Sequence, residues 1–415
     1  MRNIICIDLK SFFASCECVD RKLDPFKVPL IVADPKRGKG AITLAVTPAL
    51  KKLGVKSRGR VYEIPKNIKN IIVAPPRMNL YIQKSKEVID IYLDYVSKED
   101  LHVYSIDEVF MDVTSYLKMY KKTDYELAID ILKKIKEKTG LTATCGIGSN
   151  LFMAKVAMDV EAKHNKNCIA KWTNEDISKK LWKIKPLSKV WGIGSKTEKK
   201  LNDMGLKTIY DVAHFDKDIL IKKFGIMGEE IWNHCNGIDC ALINELKVPP
   251  KNKSYSLSQV LYHDYDGENI KIIIKEMVSQ LTLRLRNNHK LSTSIYFKID
   301  YSKIYGGGFS RSVKLDISTD NDKLIYDICL KIFNTYYNGY PIRKVSIALS
   351  KLIDNRGIQL NLFESDNNII LEDNLNHVID NIKNKMGKNS ILKASSLLEE
   401  STIKSRNEKI GGHHE

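Results

Sequence analysis

Three carboxylates set in apolar, strand-like segments constrain this chain more than any other feature. Residues 3–8 (NIICID) form a short apolar run that ends on Asp8, and the run from Val103 to Val113 (VYSIDEVFMDV) carries Asp107 and Glu108 side by side. Successive strand residues point to opposite faces, so Asp107 and Glu108 can serve one face only where the strand turns or ends. A carboxylate in apolar surroundings is costly without a partner. Two partners are open: a nearby Lys or Arg for each acid, or divalent cations held by oxygen ligands, the donor type that suits Mg²⁺.

The segments around these acids alternate in type. TATCGI at 142–147 reads as a further strand, and before it YELAIDILKKIKEKTG places Leu127, Ile131, Leu132 and Ile135 at helical spacing and stops at Gly140. After Gly148, SNLFMAKVAMDVEAK predicts a helix capped by Ser149 or Asn150. Residues 19–77 are basic, punctuated by glycines and closed by Pro75-Pro76, so they read as a small subdomain inserted after the first strand. Short helices joined by glycines follow over 169–240. A Pro pair among lysines marks 241–254 as a linker. Residues 255–355 read as a sheet with helices on one face, and 356–415 as a polar tail, partly unstructured apart from a helix near LEDNLNHVIDNIKNKM.

A chain of 415 residues exceeds what one core serves. Its 67 Lys and Arg against 50 Asp and Glu leave a net charge of +17, which favours a polyanionic partner, nucleic acid before anionic membrane. No apolar run is long enough to span a bilayer, and Asp8 interrupts the N-terminal apolar stretch before a signal core forms. A soluble, cytoplasmic protein is expected. The 8 cysteines include no CxxC pair, so neither a zinc site nor a disulfide framework is predicted.

Cys6–Glu17 (CIDLKSFFASCE), Tyr104–Asp112 (YSIDEVFMD) and Cys145–Lys155 (CGIGSNLFMAK) stand in order along the chain. Together they resemble the Y-family translesion DNA polymerases, with the closest likeness to the UmuC-like branch. The resemblance implies an α+β right-hand polymerase: a ferredoxin-like palm (1–18 and 78–168), small fingers (19–77), a helical helix-hairpin-helix thumb (169–240), and an α+β little finger after the linker. It implies that Asp8, Asp107 and Glu108, with the carbonyl of Leu9, hold two Mg²⁺ ions for nucleotide addition. Phe13 falls at the position of the ring that excludes a ribose 2′-hydroxyl, and Phe12 beside it reads as packing. Lys51 and Lys163 fall at triphosphate-binding positions, although the spacing from Asp159 to Lys163 is one residue longer than in many relatives. Three departures stand out: Lys10 where many relatives carry an acid, Pro48 where they carry a phosphate-binding Tyr, and Arg58 where they carry a Gly.

LSKVWGIGSKTEKKL at 187–201 fits a helix-hairpin-helix, with backbone amides at Gly192 and Gly194 and the charge of Lys196 directed at a DNA phosphate. Arg311, Lys314, Arg343 and Lys344 are the DNA-binding candidates of the little finger. Gln359, Leu360, Leu362 and Phe363 (QLNLF) match the bacterial sliding-clamp-binding pattern. The expected partners are therefore primer-template DNA, dNTPs and a sliding clamp, with accessory subunits left open. Two other classes use the same residues: a metal-dependent nuclease, and a non-catalytic DNA- and clamp-binding factor. The aromatic pair and the fingers insertion argue against the first, and the intact carboxylate set against the second.

Overall fold

The computed structural model describes residues 2–248, 253–355, 366–410 and 413–414. The chain divides at residue 248 into two compact units. In the first, a five-stranded sheet is formed by β1 (Ile4–Leu9), β5 (Leu101–Val103), β6 (Glu108–Asp112), β7 (Ala143–Gly148) and β8 (Ile169–Lys171) in the order β5-β6-β1-β7-β8. Between β1 and β5 lies the helix Met78–Leu93, and between β6 and β7 the helix Asp124–Thr139. With β1 central and antiparallel to β6 and β7, the succession β-α-β-β-α-β is that of a ferredoxin-like layer, to which β8 adds in parallel.

Strand alternation sorts the two faces. Ile5, Ile7, Leu9, Val109, Met111, Cys145 and Ile147 pack on one side with Tyr81, Val88, Leu127, Ile131 and Ile135 of the two helices. Helix Asp124–Thr139 is well delimited: Thr123 and Glu126 make a reciprocal capping box, and Gly140 closes it with φ 71°. On the other side Ile4, Cys6 and Phe110 meet the helix Leu151–Ala157, capped by Asn150, and behind it the helices between Ser195 and Cys235. That helix lies very close to β7. A Cβ on Gly146 would sit 2.0 Å from the Ala154 carbonyl oxygen, and one on Gly148 would sit 2.4 Å from the Ala154 nitrogen.

Residues 19–77 carry a small sheet, β2 (Leu30–Val32), β3 (Ala45–Val46) and β4 (Ile72–Ala74) in the order β3-β2-β4, over a core of Ile31, Val46, Leu50 and Val55. The segment 103–113 is not one strand. It forms a hairpin of β5 and β6, and the turn between them places Asp107 just before β6.

The second unit is an antiparallel sheet of β9 (Ser254–Tyr265), β10 (Lys290–Tyr301), β11 (Gly308–Thr319) and β12 (Ile342–Asp354), in the order β11-β10-β12-β9. Helices Ile270–Asn287 and Asp322–Tyr336 cover one face. Much of the tail belongs to this unit, and the helix expected near LEDNLNHVIDNIKNKM spans Asp366–Met386. Asp380, in the helix Asp366–Met386, pairs with Arg286, a residue only 7% exposed, and Arg286 also pairs with Asp322 at 3.0 Å. Burial opposes the Asp322 carboxylate, but Arg286 and Lys393 overcome it and hold its pKa at about 2. Buried Glu276 receives the Thr402 amide and the Ser401 hydroxyl. No described helix is long and apolar enough to cross a membrane.

Candidate active site

Asp8 is directly opposite Glu108 in the β1–β6 pair and opposite Thr144 in the β1–β7 pair. Opposed residues of an antiparallel pair project from the same face, so both carboxylates share the face covered by helix Leu151–Ala157. Asp107 is freed from strand alternation by the hairpin turn. Its carbonyl accepts the Leu9 amide at 2.9 Å, and its carboxylate accepts the Ser105 hydroxyl at 2.6 Å. Asp8 and Glu108 are thus brought together by strand register, and Asp107 joins them at one end of β1 through the turn.

Two lysines meet these carboxylates. Lys155 lies 2.7 Å from Glu108 and 3.1 Å from Asp159. Lys163 lies 2.5 Å from Asp8 and 2.7 Å from Asp159. Residues Met158–Ala162 form a π turn, with the Lys163 amide donating to the Met158 carbonyl five residues back at 3.1 Å. Such a turn holds one residue more than an α turn and is frequent at functional sites. It takes up the longer Asp159-to-Lys163 spacing and still delivers the Lys163 ammonium to Asp8.

Burial pushes the carboxyls of both Asp8 and Glu108 above their ordinary range, and Lys163 and Lys155 only partly offset it. Burial works against the ammonium groups too, yet the surrounding acids hold both lysines above theirs. Among the described residues no three His, Cys, Asp or Glu side chains converge as a ready-made metal cluster. Here the lysine ammonium groups sit at the carboxylate oxygens. The donor set is nonetheless all-oxygen and anionic, and its negative charge exceeds what the lysines neutralise. Both properties fit a hard divalent cation.

Phe13 lies in the helix Phe12–Asp20 and stacks on Tyr81, with ring centroids 4.4 Å apart and planes inclined by 13°. The Tyr81 hydroxyl donates to Glu17 at 2.7 Å, and Arg77 donates to the same carboxylate at 2.8 and 3.0 Å. Burial alone would raise Glu17, but Arg77, Tyr81 and Arg21 hold it below the usual carboxylate range. Phe12 is buried, as packing requires. Lys51 is exposed and feels the charges of Asp8, Lys163 and Asp107. Pro48 occupies the first turn of helix Pro48–Lys52, where a missing N–H is harmless. Arg58 keeps φ 63°, the left-handed backbone that glycine adopts freely. Lys10 makes no contact with the carboxylates and instead reaches the Cys168 sulfur at 2.9 Å.

Gly192 has φ 92°, and Gly194 precedes the helix Ser195–Asp203, on which Lys196 is exposed. The segment before that turn is a single 3₁₀ turn, Leu187–Lys189, rather than a full helix. In the second unit the register separates the basic candidates. Lys314 and Lys344 lie on the face away from the helices, in line with Ser294 and Asp300 of β10. Arg311 lies opposite the core residue Phe297 and stacks over Tyr336 at 3.9 Å, and Arg343 is 2.8 Å from Asp264. These two arginines are therefore engaged within the fold. The expected clamp-binding residues Gln359, Leu360, Leu362 and Phe363 lie outside the described residues. Sequence reading missed Lys155, Asp159, Ser105, Tyr81 and the Glu17–Arg77 pair. Lys155, Glu17 and Ser105 left a signal, since they fall within CGIGSNLFMAK, CIDLKSFFASCE and YSIDEVFMD.

Residues 7–159 match the family model described as impB/mucB/samB family, 252–362 match its C-terminal domain, and 174–206 match the family's HHH motif. The chain is 39% identical over 417 residues to UvrX of Bacillus subtilis (strain 168), a protein named for UV-damage repair, with 99% of this chain and 97% of that one covered. It is 32% identical over 414 residues to DNA polymerase IV 2 of the same organism, covering 99% and 98%. A solved Y-family DNA polymerase chimera superposes with a TM-score of 0.67 at 20% identity, covering 85% of this chain and 100% of that one.

Removing one member of a buried ion pair strands the other, at about 3–5 kcal/mol. In the presence of a chelator, Lys155→Met should lower unfolding free energy by that order, and adding Glu108→Leu should recover much of it. Denaturant unfolding of both variants checks this, and a Lys155→Met midpoint equal to wild type would contradict it.

Proposed function

Given that this chain belongs to the impB/mucB/samB family, we propose that Asp8, Asp107 and Glu108 are the residues with which it adds deoxynucleotides to a primer 3′ end. The protein is a Y-family DNA polymerase of the translesion class, acting on primer-template DNA and dNTPs with divalent metal ions. The observation that carries the assignment is the opposition of Asp8 and Glu108 across β1–β6, with Asp107 in the turn beside them. We assign two Mg²⁺ ions to these carboxylates and the Leu9 carbonyl, which when bound neutralise the triphosphate and acidify the primer 3′-hydroxyl.

The remaining work falls to the chain. Lys155 keeps the Glu108 carboxylate oriented. Lys163 passes its ammonium from Asp8 to the incoming triphosphate, and Lys51 adds a second positive charge. The Phe13 ring, backed by Tyr81, occupies the volume a 2′-hydroxyl needs. Backbone amides around Gly192 and Gly194, with Lys196, hold a DNA phosphate without reading sequence. Lys314 and Lys344 take the same part in the second unit, while Arg311 and Arg343 shape it. Gln359–Phe363 recruits a sliding clamp. Reduced cysteines and a cytoplasmic site of action belong to the same proposal.

Three experiments test these roles. Asp107→Ala should slow primer extension by about a hundredfold or more while DNA affinity stays within about twofold. Extension near the wild-type rate would remove Asp107 from the site. Phe13→Ala should raise incorporation of matched ribonucleotide relative to deoxynucleotide by about tenfold or more. An unchanged ratio would place the exclusion elsewhere. Replacing Leu362 and Phe363 with Ala should abolish the gain in product length from a loaded clamp and spare clamp-free extension, since tethering acts through effective concentration. Full stimulation of that variant would relocate the contact.

A further inference from the structure

We propose that a basic cavity beside the triphosphate lysines holds the departing pyrophosphate before its release, an inference that rests on the polymerase reading above. The cavity, of about 650 Å³, is lined by Lys10, Lys52, Lys133, Lys136 and Lys166, and no Asp or Glu lines it. Three chain segments that supply the active site run directly into it: Lys10 follows Leu9, Lys52 follows Lys51, and the His164–Cys168 stretch follows Lys163. Lys136 is occupied by the Gly140 carbonyl at 2.9 Å, and Lys133 faces Glu137 at 3.8 Å on the exposed helix surface. Among the described residues no carboxylate pairs with Lys10, Lys52 or Lys166. The hydroxyl of Thr142, in the same wall, has no hydrogen-bond partner among them.

Uncompensated cations gathered in a concave site favour a compact polyanion. In nucleotide addition the 3′-hydroxyl oxygen bonds to the α-phosphorus as the bond from that phosphorus to the bridging oxygen breaks. The electron pair leaves on pyrophosphate, and the hydroxyl proton goes to solvent. The β and γ phosphates then lie with Lys51 and Lys163, whose chain neighbours Lys52 and His164 line the cavity. Lys10 gains a role here: where an acid would repel the leaving group, an ammonium two residues beyond Asp8 extends the positive path.

The test uses the full chain with exposed lysines neutralised, Lys52→Met with Lys166→Met, and inorganic pyrophosphate as probe. Calorimetric pyrophosphate affinity should fall about tenfold, with inhibition of primer extension weakening by the same factor, while dNTP KM and DNA affinity move less than about twofold. Orthophosphate should bind the wild type more weakly than pyrophosphate and be less affected by the substitutions. Unchanged pyrophosphate affinity overturns the proposal, as does orthophosphate binding as tightly as pyrophosphate. An equal loss of dNTP or DNA affinity overturns it too, because the lysines then serve the triphosphate or the duplex. A wild type that binds pyrophosphate but extends no primer would instead sink the polymerase reading.

Discussion

The opposition of Asp8 and Glu108 across two antiparallel strands is the constraint on which the rest of the palm depends. Two carboxylates on one sheet face resist burial, which pushes both above their ordinary range, and the charge of Asp8 adds to the effect on Glu108. The fold answers with helix Leu151–Ala157 and the π turn after it, which bring Lys155, Asp159 and Lys163 to that face. That helix can reach the acids only because Gly146 and Gly148 leave no Cβ between it and β7. The glycines of the CGIGSN segment are thus part of the electrostatics of the site as well as of its packing. Lysines on the acids give the site a charge balance that an incoming polyanion and its cations can exchange for their own.

A second, independent network lies behind Phe13, the ring we assign to exclusion of the ribose 2′-hydroxyl. Glu17 is fully buried and keeps its charge through Arg77, Arg21 and Tyr81, so the Tyr81 ring is held from behind. Phe13 stacks on that fixed ring. Steric exclusion works only if the excluding group cannot yield, and a locked supporting layer provides the stiffness. Lys155 in the one network and Glu17 in the other are both buried, and each holds a residue assigned to the site or the ring behind one: Lys155 pairs with Glu108, and Glu17 accepts the hydroxyl of Tyr81.

Much of this was legible in the sequence where periodicity or a cap decides local structure. Asp8 at the end of the first strand, the helix stopped by Gly140 and the Asn150 cap all follow from spacing and turn chemistry. What escaped depends on long-range pairing. The hairpin between β5 and β6 was hidden because Tyr104 to Glu108 continues a strand-like run, and only the pairing of Val103 with Val109 reveals the turn. The π turn left only a spacing oddity before Lys163. Arg311 and Lys314 look alike in sequence, but register puts one against Tyr336 and the other on the open face. The tail reads as polar and loose because its anchors, Asp380 and Thr402, are polar groups that become buried only against Arg286 and Glu276.

The central claim is that the three carboxylates at the end of β1 hold divalent cations. Its most direct test is a Mn²⁺ titration of the protein bound to a dideoxy-terminated primer-template and the matched dNTP, with free ion followed by electron paramagnetic resonance. Wild type should take up two Mn²⁺ ions per complex, and Asp8→Asn should weaken that uptake by about tenfold or more, as loss of a charged ligand demands. Equal Mn²⁺ uptake by wild type and Asp8→Asn would contradict it.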